Sequence, residues 1–144
     1  MKVFLSLSLV LCSGVVSILA VPETASDTAK TNASAQESKV TVEGLVRDIA
    51  CPIQNLEATA THLSRKCLLA CARNGSPLVI LTKDGDLYLP ISEKMPDQDQ
   101  RQKLMPFLGK YVRVRGTVYA RKGTHAIVIT ELQELKDVHL TIED

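Results

Sequence analysis

The side chains best suited to chemistry in this sequence are three cysteines, Cys51, Cys67 and Cys71. Cys67 and Cys71 are four residues apart in a segment with helical spacing, so the predicted helix places both thiols on one face, one turn apart. Cys51 follows the first predicted strand, and the connection from there to the helix is short enough to fold back. Three thiolates form a soft set of ligands that suits Cu⁺ or Zn²⁺. The sequence therefore predicts a cysteine cluster that is a candidate metal site.

Two further residues near the cysteines, His62 and Asp48, are candidates for additional ligands. His62 precedes Cys67 by five residues, which is a rotation of about 140° around a helix. It therefore reaches the cluster only if the helix begins after it or if its first turn is bent. Asp48 lies three residues before Cys51 and offers carboxylate oxygens at short range.

The N-terminal residues 1–20 have the pattern of a secretory signal. Lys2 provides a positive charge, and an uncharged stretch of apolar and small residues leads to Ala20, where a small residue permits cleavage. Cleavage removes one lysine and Cys12, which leaves three cysteines and 16 basic against 16 acidic side chains. We therefore expect an exported chain, periplasmic or secreted, with no membrane span after cleavage and no net charge.

An oxidising exported compartment makes a disulfide the first interpretation of the cysteines. A bond from Cys51 to Cys67 or Cys71 would attach the predicted helix to the strand, whereas a bond between the two helical cysteines is near the geometric limit. Metal binding is the second interpretation. Thiol redox chemistry is the third, because the helix dipole disfavours a thiolate at these positions and no C-x-x-C motif is present. The sequence leaves all three interpretations open.

Valine alternation identifies the strands that must position the cysteines. Two segments share the pattern V-x-V-x-G-x-V, in which the internal glycine marks a bulge or a sharp bend. Two others flank a turn centred on Asp84-Gly85 and predict a hairpin. The five predicted strands cover residues 40–46, 78–82, 87–91, 112–118 and 124–130.

Two helices are predicted between these strands. Residues 56–73 have helical spacing and end at Asn74-Gly75, while residues 97–108 form the second helix, with Pro106 expected to distort its last turn. Five strands with a helix between the third and the fourth are typical of the OB fold. We therefore predict a mainly β, five-stranded OB-like Greek-key barrel. Its cysteine-bearing helix is inserted between strands 1 and 2, and a second helix lies between strands 3 and 4.

The 144 residues contain one predicted folded domain. Hydrophobic residues make up 45% of the chain and charged residues 23%, which is typical of a globular protein and argues against wholesale disorder. Residues after the signal contain few apolar side chains and predict a flexible linker. The predicted segments are a signal peptide at residues 1–20, a linker at 21–38, an OB-like domain at 39–136 and a polar tail at 137–144.

One face of the predicted barrel carries Arg113, Arg115 and Tyr88, which are candidates for ligand binding. OB barrels often bind oligonucleotides on such a face. Against this use, the mature chain has no net charge and aromatic residues make up only 3% of the sequence. Charged residues also protect strand edges against aggregation. Nucleic acid is therefore not the expected partner.

Several short motifs together resemble one group of proteins. Residues 44–51 read G-L-V-R-D-I-A-C, residues 67–71 read C-L-L-A-C and are followed by G-S-P at 75–77, and residues 84–89 read D-G-D-L-Y-L. In this pattern the chain resembles a group of small exported bacterial proteins that have an OB-like domain and no assigned biochemical role. The resemblance implies export, an OB-like barrel and a cysteine cluster, and it implies no activity.

These observations predict an exported OB-like module that is stapled by the cysteine cluster. We expect it to be a non-catalytic binding or stress-related protein rather than an enzyme. The expected partner is a small ligand or a protein that the sequence does not identify. The first alternative is a periplasmic protein that binds Cu or Zn through the cysteine cluster. The second alternative is a thiol redox protein.

Overall fold

Long strands rich in valine and isoleucine form most of the fold. The computed structural model describes residues 36–144. The strands are β1 (Gln36–Asp48), β2 (His62–Ser64), β3 (Leu78–Leu81), β4 (Leu87–Ile91), β5 (Tyr111–Arg121), β6 (Thr124–Glu134) and β7 (Thr141–Glu143). The helices are α1 (Ala50–Gln54), α2 (Arg65–Arg73) and α3 (Arg101–Leu104), and a 3-10 helix covers Met105–Phe107.

Five of these strands close into a barrel in the order β1-β3-β4-β6-β5. The first part of β1 pairs antiparallel with β5, its last four residues pair antiparallel with β3, and β4 pairs parallel with β6. β3 and β4 form the predicted hairpin, with Ile80 opposite Tyr88. The prediction of a mainly β protein with a five-stranded barrel is therefore confirmed.

The glycines inside the predicted strand patterns allow neighbouring strands to approach closely. A Cβ atom at Gly44 would collide with the carbonyl oxygen of Leu81, and one at Gly116 would collide with that of Val128. The register of β5 against β6 also shifts between Arg115 and Gly116, as in a β-bulge. Bulges and glycines let strands bend sharply, which a small closed barrel requires.

Two apolar clusters hold the structure together. One fills the barrel interior, and the other lies between the barrel and the segment that joins β1 to β3. In the second cluster, Leu63 of β2 and Leu68 of α2 pack with Leu45, Leu81 and Tyr111 of the barrel, and all five are at most 4% exposed. Burial of these side chains fixes β2 and α2 on the barrel wall.

The helix predicted over residues 56–73 is wrong in its first half, because α2 covers only the last nine residues of that range. The side chain of Thr59 accepts a hydrogen bond from the backbone N–H of His62 at 3.1 Å, which favours a turn over a helix. Ser64 then begins the helix by accepting a hydrogen bond from the backbone N–H of Cys67 at 3.3 Å.

The second helix, predicted over residues 97–108, is also shorter than expected. Only α3 and the following 3-10 helix are helical in this region. The carboxylate of Asp97 accepts hydrogen bonds from the backbone N–H of Ser92 at 2.7 Å and from its hydroxyl at 3.0 Å, which fixes a turn ahead of the helix. Pro106 has no N–H to continue an α-helix, so the segment ends as a 3-10 turn.

Both ends of the described region extend beyond the predicted domain. β1 begins at Gln36, inside the predicted linker at 21–38, and β7 lies inside the predicted tail at 137–144 and pairs parallel with β2. The predicted signal peptide at 1–20 lies outside the described residues. None of the helices described here is long and apolar enough to cross a membrane.

Candidate metal centre

Two neighbouring helices bring the three cysteine sulfurs together. Cys51 lies at the start of α1, three residues after β1 ends, while Cys67 and Cys71 lie one turn apart on α2. The Sγ atom of Cys51 is 3.0 Å from that of Cys67 and 3.8 Å from that of Cys71. All three sulfurs lie within 4.8 Å of one another. The predicted cluster is therefore close enough to bind one metal ion.

The disulfide that the sequence favoured is not formed. A sulfur–sulfur bond is about 2.05 Å long, and Cys51, Cys67 and Cys71 are free thiols in the described structure. The attachment that a disulfide would provide comes instead from the buried side chains of Leu63 and Leu68. The cysteines are consequently available for other chemistry.

Asp48 positions the first of the three thiols. Its side chain is fully buried at the end of β1, and Oδ2 accepts a hydrogen bond from the backbone N–H of Cys51 at 2.8 Å. The other carboxylate oxygen, Oδ1, is buried and has no hydrogen-bond partner among the described residues. Asp48 thus lies next to Cys51 of the cluster, and one of its carboxylate oxygens has no partner in the described structure.

The surroundings keep two of the thiols protonated. Burial is the main cause that raises the pKa of Cys51, and its hydrogen bonds with Cys67 and Asp48 raise the pKa further. Burial also raises the pKa of Cys71, and the negative charge of Asp48 contributes. A thiol with a raised pKa is a poor nucleophile at neutral pH. These two thiols become thiolates when a bound cation displaces their protons.

His62 lies beside the cluster and is not one of its members. Its Nδ1 atom is 3.1 Å from the carbonyl oxygen of Glu57, and its Nε2 atom is 2.9 Å from Oε1 of Glu143 on β7. The hydrogen bond with Glu143 is the main cause that raises the pKa of His62 above its ordinary value. A cavity of about 70 Å³ has His62, Cys51 and Cys67 in its wall. The structure therefore brings His62 to the same cavity while Glu143 occupies its Nε2 atom.

Two residues of this region were missed by the sequence reasoning. Arg47 is only 2% exposed, lines the same cavity and donates from Nη1 to the carbonyl oxygen of Thr59 at 3.1 Å, while its Nε atom has no partner in the described structure. Glu143 also lines the cavity. No local signal pointed to Arg47, because its burial comes from the inserted segment that covers the end of β1. No local signal pointed to Glu143.

The candidate residues of the barrel face have partners of their own. Arg113 pairs with Glu43 at 2.7 Å, and Arg115 pairs with Glu131 at 3.1 Å. Tyr88 lies on another strand and stacks on the ring of His125, with a centroid distance of 5.0 Å. Carboxylates on neighbouring strands thus balance the positive charges of Arg113 and Arg115. The ring partner of Tyr88 is His125.

Comparisons of this chain with protein-family models, with curated proteins and with solved structures gave no match. What the site can bind is therefore inferred from the positions of its own side chains. Cys51, Cys67 and Cys71 supply three soft ligands to one point, with Asp48 behind them and His62 across a small cavity. Such an arrangement can bind a thiophilic metal ion.

Proposed function

We propose that the protein binds one soft metal ion, Cu⁺ or Zn²⁺, through the sulfurs of Cys51, Cys67 and Cys71. The observation that carries this proposal is the position of the three Sγ atoms within 4.8 Å of one another. Zinc–sulfur bonds of about 2.3 Å in a tetrahedral site place neighbouring sulfurs about 3.8 Å apart. Cys51 and Cys71 already have that separation, at 3.8 Å. Cys51 and Cys67, at 3.0 Å, would move slightly apart on metal binding.

The buried carboxylate of Asp48 supports a cation at this place. A buried carboxylate is costly unless a positive charge or hydrogen bonds compensate it. Asp48 receives one hydrogen bond from Cys51, and none of the described basic side chains forms an ion pair with it. A metal ion bound by the neighbouring sulfurs would supply the positive charge that the carboxylate lacks.

The thiol redox alternative has less support. Redox enzymes use a thiol whose pKa is lowered, so that a thiolate attacks. Burial and the nearby Asp48 raise the pKa of both Cys51 and Cys71. The sequence-based expectation that the helix dipole disfavours a thiolate is wrong for Cys67, which lies in the first turn of α2, so a raised pKa applies to two of the three thiols. We therefore propose a non-catalytic binding protein rather than a thiol enzyme.

We also propose that the five-stranded barrel is an OB-like Greek-key barrel. The barrel order β1-β3-β4-β6-β5, with β4 and β6 parallel, supports an OB-like Greek-key barrel. In that barrel the segment with α2 is inserted between the first and second barrel strands, and α3 lies between the third and fourth. The barrel then acts as the rigid support for the cysteine cluster.

The proposal places this chemistry in an exported protein, periplasmic or secreted. The pattern of residues 1–20 supports export, and so does the resemblance to small exported bacterial proteins with an OB-like domain. The proposed partner is a small ligand, here the metal ion. Nucleic acid is not proposed, because Arg113 and Arg115 already pair with carboxylates.

Native mass spectrometry of the reduced protein, prepared without oxygen and supplied with one equivalent of Zn²⁺ or Cu⁺, tests the proposal. We expect one ion per chain, and we expect Cys51→Ser, Cys67→Ser and Cys71→Ser each to weaken binding by about tenfold or more, since each removes one of three ligands. Met95→Ser is the matched control, because it removes an exposed sulfur that is not part of the cluster. A reduced wild-type protein that takes up neither ion would overturn the proposal.

A further inference from the structure

We infer that the cavity beside the cysteine cluster is a subsite for a small monovalent anion, which Arg47 holds next to the bound metal. This inference rests on the proposed metal site and adds the fourth ligand of that site. It follows from the burial of Arg47, the size and walls of the cavity, and the number of protein sulfurs.

Arg47 is the residue that requires an acceptor. Its side chain is only 2% exposed, and its Nη1 atom is used by the carbonyl oxygen of Thr59. Its Nε atom is buried and has no hydrogen-bond partner in residues 36–144. A buried donor without a partner is destabilising, and a buried guanidinium also needs negative charge nearby. An anion in the cavity that Arg47 lines would supply that negative charge.

The cavity has the size and walls for a small ion. Its volume is about 70 Å³, far below the 300 Å³ or so at which pockets for nucleotide-sized or drug-sized ligands begin. Arg47 and Ser64 line it together with Cys51 and Cys67, and His62 lines it with both ring nitrogens already hydrogen-bonded to Glu57 and Glu143. Two acidic residues, Glu57 and Glu143, also line it, and Glu143 is paired with His62 at 2.9 Å.

The number of sulfurs leaves room for the anion on the metal. Zn²⁺ and Co²⁺ with cysteine ligands prefer four-coordinate tetrahedral sites, and a site with three protein ligands keeps its fourth position for an external ligand. Within residues 36–144 three cysteine sulfurs are brought together, and Nε2 of His62 is engaged by Glu143. Cys51 and Cys67 line the cavity, so a metal on their sulfurs lies at its wall. An anion in the cavity can therefore contact both the metal and Arg47.

Cobalt substitution tests the inference, because the visible d–d bands of Co²⁺ report its ligands. The reduced protein is loaded with one equivalent of Co²⁺ in perchlorate, and the perchlorate is then replaced by chloride or azide at constant ionic strength. We expect a saturable change of the d–d bands with each of the two anions. Cobalt uptake without any saturable change would overturn this inference alone. Absence of uptake of Co²⁺, Zn²⁺ and Cu⁺ would overturn the proposed function and this inference with it.

A pair of variants then assigns the anion to Arg47. Arg47→Gln removes the guanidinium that lines the cavity, and we expect it to weaken chloride and azide binding by about tenfold or more while cobalt uptake is retained. Arg65→Gln is the matched control, because Arg65 is exposed and lies next to the same segment, 3.9 Å from Asp144. Equal weakening in both variants would show a general charge effect and overturn the role of Arg47. If Arg47→Gln does not fold, the wild-type titration still decides between the outcomes.

Discussion

The Sγ atom of Cys51 lies 3.0 Å from the Sγ atom of Cys67, and the corresponding distance from Cys51 to Cys71 is 3.8 Å. Cys67 belongs to the first turn of α2 and is exposed, while Cys71 is partly buried one turn later. The three thiols are therefore not equivalent. Cys51 has one near neighbour and one more distant neighbour, and this difference predicts which pair reacts first.

Mild oxidation of the metal-free protein should join Cys51 to Cys67 and leave Cys71 free. The closer sulfurs need the smaller movement to reach bonding distance, which is about 2.05 Å. With diamide as the oxidant, which takes up the two hydrogens, peptide mapping by mass spectrometry identifies the bond. A dominant bond between Cys51 and Cys71 would contradict the prediction. One equivalent of Zn²⁺ should protect all three thiols.

The ion pair between His62 and Glu143 should shift the titration of the histidine. The hydrogen bond to Glu143 raises the pKa of His62 above its ordinary value of 6.5, so the folded protein favours the protonated ring. The contact therefore stabilises the fold below pH 6.5, and this contribution is lost as the pH rises through the raised pKa. In Glu143→Gln, NMR titration should give a lower pKa for His62. An unchanged pKa of His62 would contradict the contact.

Removal of β7 should loosen the segment ahead of α2. Deleting residues 141–144 removes the parallel pairing with β2, although the barrel strands keep their own partners. Trypsin should then cut faster after Arg65 and Lys66, while cleavage after Lys122 in the β5–β6 turn should not change. Deleting Asp144 alone is the matched control, because it removes only an exposed ion pair at 3.9 Å. Equal cleavage rates in both truncated proteins would show that β7 does not hold this segment.

Leu68 should contribute far more than Leu69 to the stability of the reduced protein. Leu68 is 3% exposed and packs on the barrel wall, whereas Leu69 is 38% exposed. Leu68→Ala should lower the free energy of unfolding by about 2–5 kcal/mol, and Leu69→Ala by about 1 kcal/mol or less. Urea unfolding with reductant present measures both. Similar losses for the two variants would contradict attachment of α2 through Leu68.

Local patterns predicted the barrel strands and the cysteine cluster. Alternating valines define which face of a strand is buried, and the spacing of Cys67 and Cys71 fixes their common face on any helix. The start of α2 was mispredicted, because side-chain hydrogen bonds of Thr59 and Ser64 outweigh the apolar spacing ahead of the helix.

The rest of the site depends on contacts between distant parts of the chain. His62 and Glu143 are 81 residues apart and meet only because β2 and β7 pair. Arg47 is buried because the inserted segment covers the end of β1, which no periodicity within the strand can show. Such contacts follow from the complete packing and not from any local pattern.

The pairing of β1 connects the barrel directly to the cysteine cluster. This strand pairs with β5 and β3 to close the barrel, and it leads within three residues to Cys51. A metal ion that joins Cys51 to the two cysteines of α2 would bind only when the end of β1 is in place. By thermodynamic linkage, a ligand that binds only the folded form raises its melting temperature. The bound metal would thus stabilise the closed barrel, and the melting temperature of the protein would rise with the free metal concentration around it.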